Sequence, residues 1–316
     1  MTDSTSPLPR SRESSTSDTA YRVQARNLSQ ASENKIHDDT IARRFGFQGG
    51  LVPGVEIYAY LTHLPVARWG VEWLERGSAE CRFFKPVYDG KWATVSWTES
   101  GGITVESEGE RCATGSAALP DVLDPRLRGG DDSSVVPAQP GASVIPAAAE
   151  GSVIATQAGG SVIPPNAGIQ DWLPAAIPSS DDRPQADETS LAVGRRLSSQ
   201  AMLMTPERLQ QYLADIGETE PLYARENLVH PAFMLRLSNL ALKDNVKLAA
   251  WIHAGSAVQH CALAHAGDSL AAHATVATNY ERNGHRFVEL EVAIVANETR
   301  AIARVRHTAI YRLRSA

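Results

Sequence analysis

Hydrophobic and polar positions alternate over four consecutive runs in the first half of the chain, 79–87, 92–99, 103–108 and 111–119. A period of two turns one side of each run toward a core. Asp89-Gly90 and Gly101-Gly102 between them are tight-turn sequences, so the runs predict antiparallel strands. Ahead of them, 21–28 predicts a short strand. An apolar helix follows over 52–69, with Val55, Ala59, Leu61 and Leu64 at helical spacing. The last third repeats this order: a helix over 206–215, a loop over 217–230, an apolar helix over 231–242, then strands over 248–264, 269–280, 286–296 and 301–313. Gly267-Asp268, Asn283-Gly284 and Asn297-Glu298 supply the turns. Even the helix starts correspond, Gly50-Leu51-Val52-Pro53-Gly54 against Asn227-Leu228-Val229-His230-Pro231. One long helix wrapped by an antiparallel sheet, present twice, is an α+β double module.

The text between the repeats is different. From 120 to 199 Ala, Gly, Pro, Ser and Asp dominate, and a nine-residue period recurs as SVVPAQPGA from Ser134, SVIPAAAEG from Ser143, SVIATQAGG from Ser152 and SVIPPNAGI from Ser161. Proline removes ladder donors and the copies are too imperfect to bury a core, so the stretch reads as a low-complexity linker. The Ser- and Thr-rich start, 1–20, lacks the apolar run of a secretory signal and reads as a leader. The expected division is leader 1–20, first module 21–119, linker 120–199 and second module 200–316.

Composition narrows the classes of function. An apolar share of 43% in 316 residues supports two real cores, and a net charge of -6 without a Lys/Arg cluster excludes a nucleic-acid or anionic-membrane surface. No stretch reaches the ~18 apolar residues a membrane helix needs. The three cysteines (Cys81, Cys112, Cys261) are far apart, fit no CxxC pattern and cannot form a disulfide framework. A cytoplasmic protein is the expectation.

Chemistry concentrates in one stretch, Ser32-Glu33-Asn34-Lys35-Ile36-His37-Asp38-Asp39-Thr40-Ile41-Ala42, followed by Gly46-Phe47-Gln48-Gly49-Gly50-Leu51-Val52-Pro53-Gly54. It resembles the signature of the MaoC-like hydratase/dehydratase family, matched at Asn34, Ile36, His37, Asp39, Ala42, Gly46, Phe47, Gly49 and Gly54. That resemblance implies a double hotdog fold and reversible hydration of a 2-enoyl thioester, or dehydration of a 3-hydroxyacyl thioester, carried on coenzyme A or acyl carrier protein. It implies His37 as acid/base and the Gly54 N–H as oxyanion donor, with Ser32 where the family has an Asp working with the His. Asn34, Gly49, Gly50 and Val52 would line the substrate, and Pro53 stands where a His is usual. The chemistry is coherent: a near-neutral imidazole can serve either proton transfer, and a glycine N–H at a helix start meets the developing enolate charge.

No metal or redox cofactor is implied, and no nucleic-acid or membrane partner. Two modules in one chain form a pseudo-dimer, compatible with a further homodimer. Glu33 could take the place of the missing carboxylate if the loop shifts by one residue. Two other functions fit the same text: a thioesterase, with Glu56 or Asp39 activating water, and a non-catalytic acyl-thioester binder, which Ser32 favours. His230 reads as structural. His253, His260, His265 and His273 match no metal-ligand spacing.

Overall fold

The computed structural model describes residues 20–120 and 174–314. In the first module β1 (Ala20–Gln24) leads into a long loop, which holds a one-turn 3-10 helix (Lys35–His37) and α1 (Asp39–Arg44). The central helix α2 (Gly54–Trp69) and the short α3 (Val71–Arg76) follow, then β2 (Ser78–Phe83), β3 (Trp92–Trp97), β4 (Gly102–Ser107) and β5 (Glu110–Ala118). The second module contributes β6 (Arg196–Ser198), β7 (Met202–Leu203), α4 (Pro206–Ile216), α5 (Leu222–Glu226) and its own central helix α6 (Ala232–Lys243). It ends with β8 (Ile252–His260), β9 (Ser269–Arg282), β10 (His285–Ala296) and β11 (Arg300–Arg312).

The strands form one antiparallel sheet in the order β1-β3-β4-β5-β2-β8-β11-β10-β9-β6, with β7 beside β9. Read outward from the β2–β8 seam, each half uses its strands in the same relative order, so the repeat in the sequence is a two-fold repeat in space. At the seam Cys81 lies opposite Ser256. A Cβ on Gly255 would sit 2.7 Å from the Cys81 carbonyl oxygen, so only glycine lets the two strands meet there.

The helix starts correspond in three dimensions as they do in sequence. Leu51 bridges to Tyr88 and Leu228 to His265. The Val52 N–H donates to the Val87 carbonyl at 2.9 Å, and the Val229 N–H to the Ala264 carbonyl at 2.8 Å. Helix α2 is buried from Val55 to Thr62 and again from Leu64 to Val66, because the sheet covers one side and α4 and α6 the other. Both halves share one continuous apolar core. A buried carboxylate joins them: Glu218 accepts the His63 Nδ1–H at 2.7 Å, lies 3.6 Å from His230 Nε2, and accepts the N–H groups of Thr219 and Glu220. Burial raises its carboxyl pKa, but the adjoining His230 and His63 together outweigh this and hold it well below the usual range.

The sequence reading needs three corrections. The interval 174–199 is not linker: Leu191 and Leu197 are buried, Gln185 bridges to Lys247, and β6 is the second module's edge strand, equivalent to β1. The second module therefore begins before residue 200. The loop 217–230 contains α5, and the strand expected over 248–264 is confined to Ile252–His260. The leader and the nine-residue repeats lie outside the described residues. Among the described residues no helix is long and apolar enough to cross a membrane.

Candidate functional site

A cavity of about 500 Å³ opens between the loop after β1, the first turn of α2, the end of β2 and one face of α6. Its organising residue is Asn34, which caps the 3-10 helix: its Oδ1 accepts the Ile36 N–H. The same side chain pairs with the backbone of Trp251, donating to its carbonyl at 2.9 Å and accepting its N–H at 3.3 Å. One amide thus pins the first module's loop to the second module.

That loop presents His37. The Leu51 carbonyl lies 2.7 Å from His37 Nδ1, and a carbonyl only accepts, so Nδ1 carries the proton and Nε2 is bare. Nε2 lies 3.3 Å from the Asn34 amide nitrogen, a long and easily exchanged contact. Burial pushes the His37 pKa down while the Leu51 bond pushes it up, and burial is the larger effect. The imidazole is therefore a neutral base at pH 7.

Next to it is the start of α2. Pro53 is the N-cap, and its carbonyl accepts from Glu56 and Ile57. Helical geometry leaves the N–H groups of Gly54 and Val55 without intrahelical acceptors, and both residues line the cavity at the positive end of the helix dipole. A Cβ on Gly54 would lie 2.9 Å from the Phe83 ring and 3.0 Å from His253 Nδ1, so glycine is required by close packing as well as by access.

The second module supplies most of the opposite wall. His253, buried on β8, lines the cavity with Nδ1 unpartnered, and its Nε2 is 2.8 Å from Ser256 Oγ, which is 2.9 Å from His307 Nδ1. Burial and the neighbouring His307 hold His253 well below the usual histidine range. Glu56, which pairs with Arg236 of α6, also lines the cavity, as does Asn239. The mouth is basic: Arg183 and Lys243 flank the 61% exposed Glu33 at 3.5 Å and 4.0 Å, and Lys247, which donates to the Asp181 carbonyl, also lines the cavity.

The cavity brings together His37, Ser32, Gly54, Asn34 and Val52. It does not include Gly49 or Gly50, expected to contact substrate. A Cβ on Gly50 would lie 2.2 Å from the His37 carbonyl oxygen, and one on Gly49 3.1 Å from Asp39 Oδ1. These glycines let the loop fold tightly behind His37. Asp39 is also turned away from the cavity, its Oδ1 accepting the Gly50 N–H at 2.7 Å, so it activates no water. The Ser32 hydroxyl donates to the Asn34 carbonyl at 3.3 Å, and Glu33 is held among the mouth cations, so neither replaces the missing carboxylate. His253, Arg236 and Asn239 were not found by sequence reasoning. The available signal was a histidine at a core-facing position of an alternating strand, which is unusual for a polar residue. Among the described residues no His, Cys, Asp and Glu group could hold a metal ion.

No protein-family model and no curated protein sequence matches the chain. Solved structures are similar in fold. One described as a MaoC domain dehydratase of Chloroflexus aurantiacus aligns with a TM-score of 0.52 at 11% identity, covering 93% of this chain and 94% of that one. A Mycobacterium tuberculosis protein with a double hotdog fold gives 0.52 at 15% identity, covering 92% and 95%. A MaoC-like dehydratase gives 0.51 at 14% identity, covering 94% and 98%. With its two central helices wrapped by one sheet in mirrored strand order, this chain is a double hotdog protein, the fold that its Asn34–Gly54 stretch implies.

Proposed function

We propose that the cavity binds an acyl thioester and adds water across its 2,3 double bond. The observation that carries this reading is the bare Nε2 of a neutral His37, fixed in its tautomer by Leu51, next to the open N–H groups of Gly54 and Val55. The thioester carbonyl would accept from Gly54 N–H. As water adds its oxygen to C3, its proton passes to His37 Nε2 and the electron pair of the double bond moves onto the carbonyl as an enolate. The imidazolium then returns that proton to C2, and the carbonyl re-forms. One imidazole makes both transfers, because Ser32 is not basic and its hydroxyl is engaged. Arg183, Lys243 and Lys247 at the mouth suit the phosphates of a carrier.

Purified protein should remove the enoyl-thioester absorbance of crotonyl-CoA without releasing thiol, and His37→Ala should slow this by about a thousandfold. An unchanged rate in that variant eliminates the assignment. Ser32 supports a second reading, a non-catalytic binder, which predicts a thermal shift with acyl-CoA and no turnover. Thiol release would instead indicate hydrolysis with Glu56 as the base, against its pairing with Arg236.

A further inference from the structure

The cations at the mouth come from two stretches of the second module: Arg183, ahead of β6, and Lys243 and Lys247, at and just beyond the end of α6. The Arg183 side chain is only 13% exposed, and its hydrogen bonds fix its place. It donates to the Lys243 carbonyl at 2.6 Å, the Ser180 carbonyl at 3.1 Å and Ser180 Oγ at 3.3 Å. Lys247 Nζ donates to the Asp181 carbonyl at 2.9 Å. All of these acceptors are neutral, so they hold the cations without cancelling their charge. Among the described residues, Glu33 alone pairs its carboxylate with Arg183 or Lys243.

Glu33 fits that position poorly. A single oxygen, Oε2, lies between the two cations, 3.5 Å from Arg183 Nη1 and 4.0 Å from Lys243 Nζ. Charge-assisted hydrogen bonds of good geometry are about 2.7–2.9 Å long, so this oxygen completes neither. The side chain also stands largely in water, where such a pair contributes little. A phosphate presents more oxygens in more directions and carries up to about two charges, so it can meet both cations at once. The place itself belongs to the site: Glu33 directly precedes Asn34, which anchors the loop presenting His37.

We propose that Glu33 is an internal stand-in for a phosphate of the acyl carrier, which takes its place between Arg183 and Lys243 when a thioester binds; the proposal rests on the acyl-thioester reading of the cavity. In the empty protein the carboxylate neutralises part of the charge at the mouth. Each incoming phosphate competes with it and turns it out into solvent. A thioester without phosphate leaves Glu33 where it is.

Calorimetry on the full chain with butyryl-CoA, butyryl-phosphopantetheine and butyryl-pantetheine tests this. Butyryl-CoA should bind about tenfold more tightly than butyryl-pantetheine, the order expected for a hydrogen bond to a charged group. Glu33→Gln should tighten butyryl-CoA about threefold, the scale of an exposed ion pair, and leave butyryl-pantetheine unchanged. With both partners replaced, Arg183→Gln with Lys243→Gln, butyryl-CoA should weaken about tenfold, and adding Glu33→Gln should then bring no gain. This last comparison separates displacement from a general charge effect, which would survive the loss of both cations. Should that variant fail to fold, Lys243→Gln alone should still reduce the gain. Butyryl-phosphopantetheine identifies the source: affinity like that of butyryl-CoA assigns the site to the phosphate that a carrier protein shares, and affinity like that of butyryl-pantetheine assigns it to the nucleotide phosphates of coenzyme A. Equal binding of butyryl-CoA and butyryl-pantetheine, no tightening in Glu33→Gln, or an undiminished gain once the cations are replaced overturns the proposal and leaves the acyl-thioester reading intact. If none of the three thioesters binds, that reading falls and this proposal with it.

Discussion

The two central helices begin alike and end up doing opposite things. Both starts are anchored by a Leu bridge and a Val N–H to the same point of their sheet halves. In the first, Gly54 leaves an N–H open to a cavity of about 500 Å³. In the second, Pro231 occupies the matching position and has no N–H, and the His230 ring caps the next donor, accepting the Ala232 N–H at 3.2 Å. Tyr212 and Tyr223 pack on that ring, and only about 10 Å³ of space remains, room for roughly one water. An open cavity and a piece of core therefore differ by one imino acid, one side-chain cap and two aromatic rings on an unchanged backbone frame.

Transplanting the second start into the first is the strongest test of that contrast. Gly54→Pro removes the oxyanion donor and should lower crotonyl-CoA turnover a hundred- to a thousandfold, whereas Pro231→Gly should leave turnover per folded molecule unchanged. Equal effects from the two substitutions would show that the helix starts are not functionally distinct.

A second test uses the unequal burial of histidines. In the second module, burial pushes His260 down to about 4 and His307 to about 3. Both are neutral when folded and take up a proton near 6.5 when unfolded. Their stability is therefore intact above that pH and is lost as pH falls toward the folded values. Urea unfolding at pH 5 should give roughly 2 kcal/mol less stability per histidine than at pH 7. Glu218 does not offset this, because its lowered pKa keeps its contribution until pH drops below the usual carboxylate range. Equal stability at the two pH values would mean that these rings are already charged in the fold.

The smallest effect is on activity. With His37 lowered by burial, kcat/KM should rise with pH to a midpoint below 6.5 and be level above about pH 7. A midpoint above 7 would point to a different base.

Much of the double module was legible because its signals are local. The alternation expected over 269–280 survives as strand β9, in which every second residue from Leu270 to Val276 is buried. The shared Leu-Val pair before each helix marks a real equivalence. Strand β6 was not legible: three residues carry no period, and only pairing with β9 makes Arg196–Ser198 a strand. Within the site, Asn34, His37 and Gly54 were readable from one continuous stretch. Glycine, however, does not reveal which side approaches it, so Gly49 and Gly50 were assigned to substrate when they pack against their own loop. Residues of the facing wall, His253, Arg236 and Asn239, lie in the other module, and no local pattern links them to His37.

The Asn34–Trp251 pairing ties the two halves at the place where the loop bearing His37 meets the wall built by the second module. Substitutions on α6 could retune which molecules are accepted without disturbing the imidazole, its tautomer or the helix start. The second module, its own helix start filled, thus serves as a wall of its sibling's cavity.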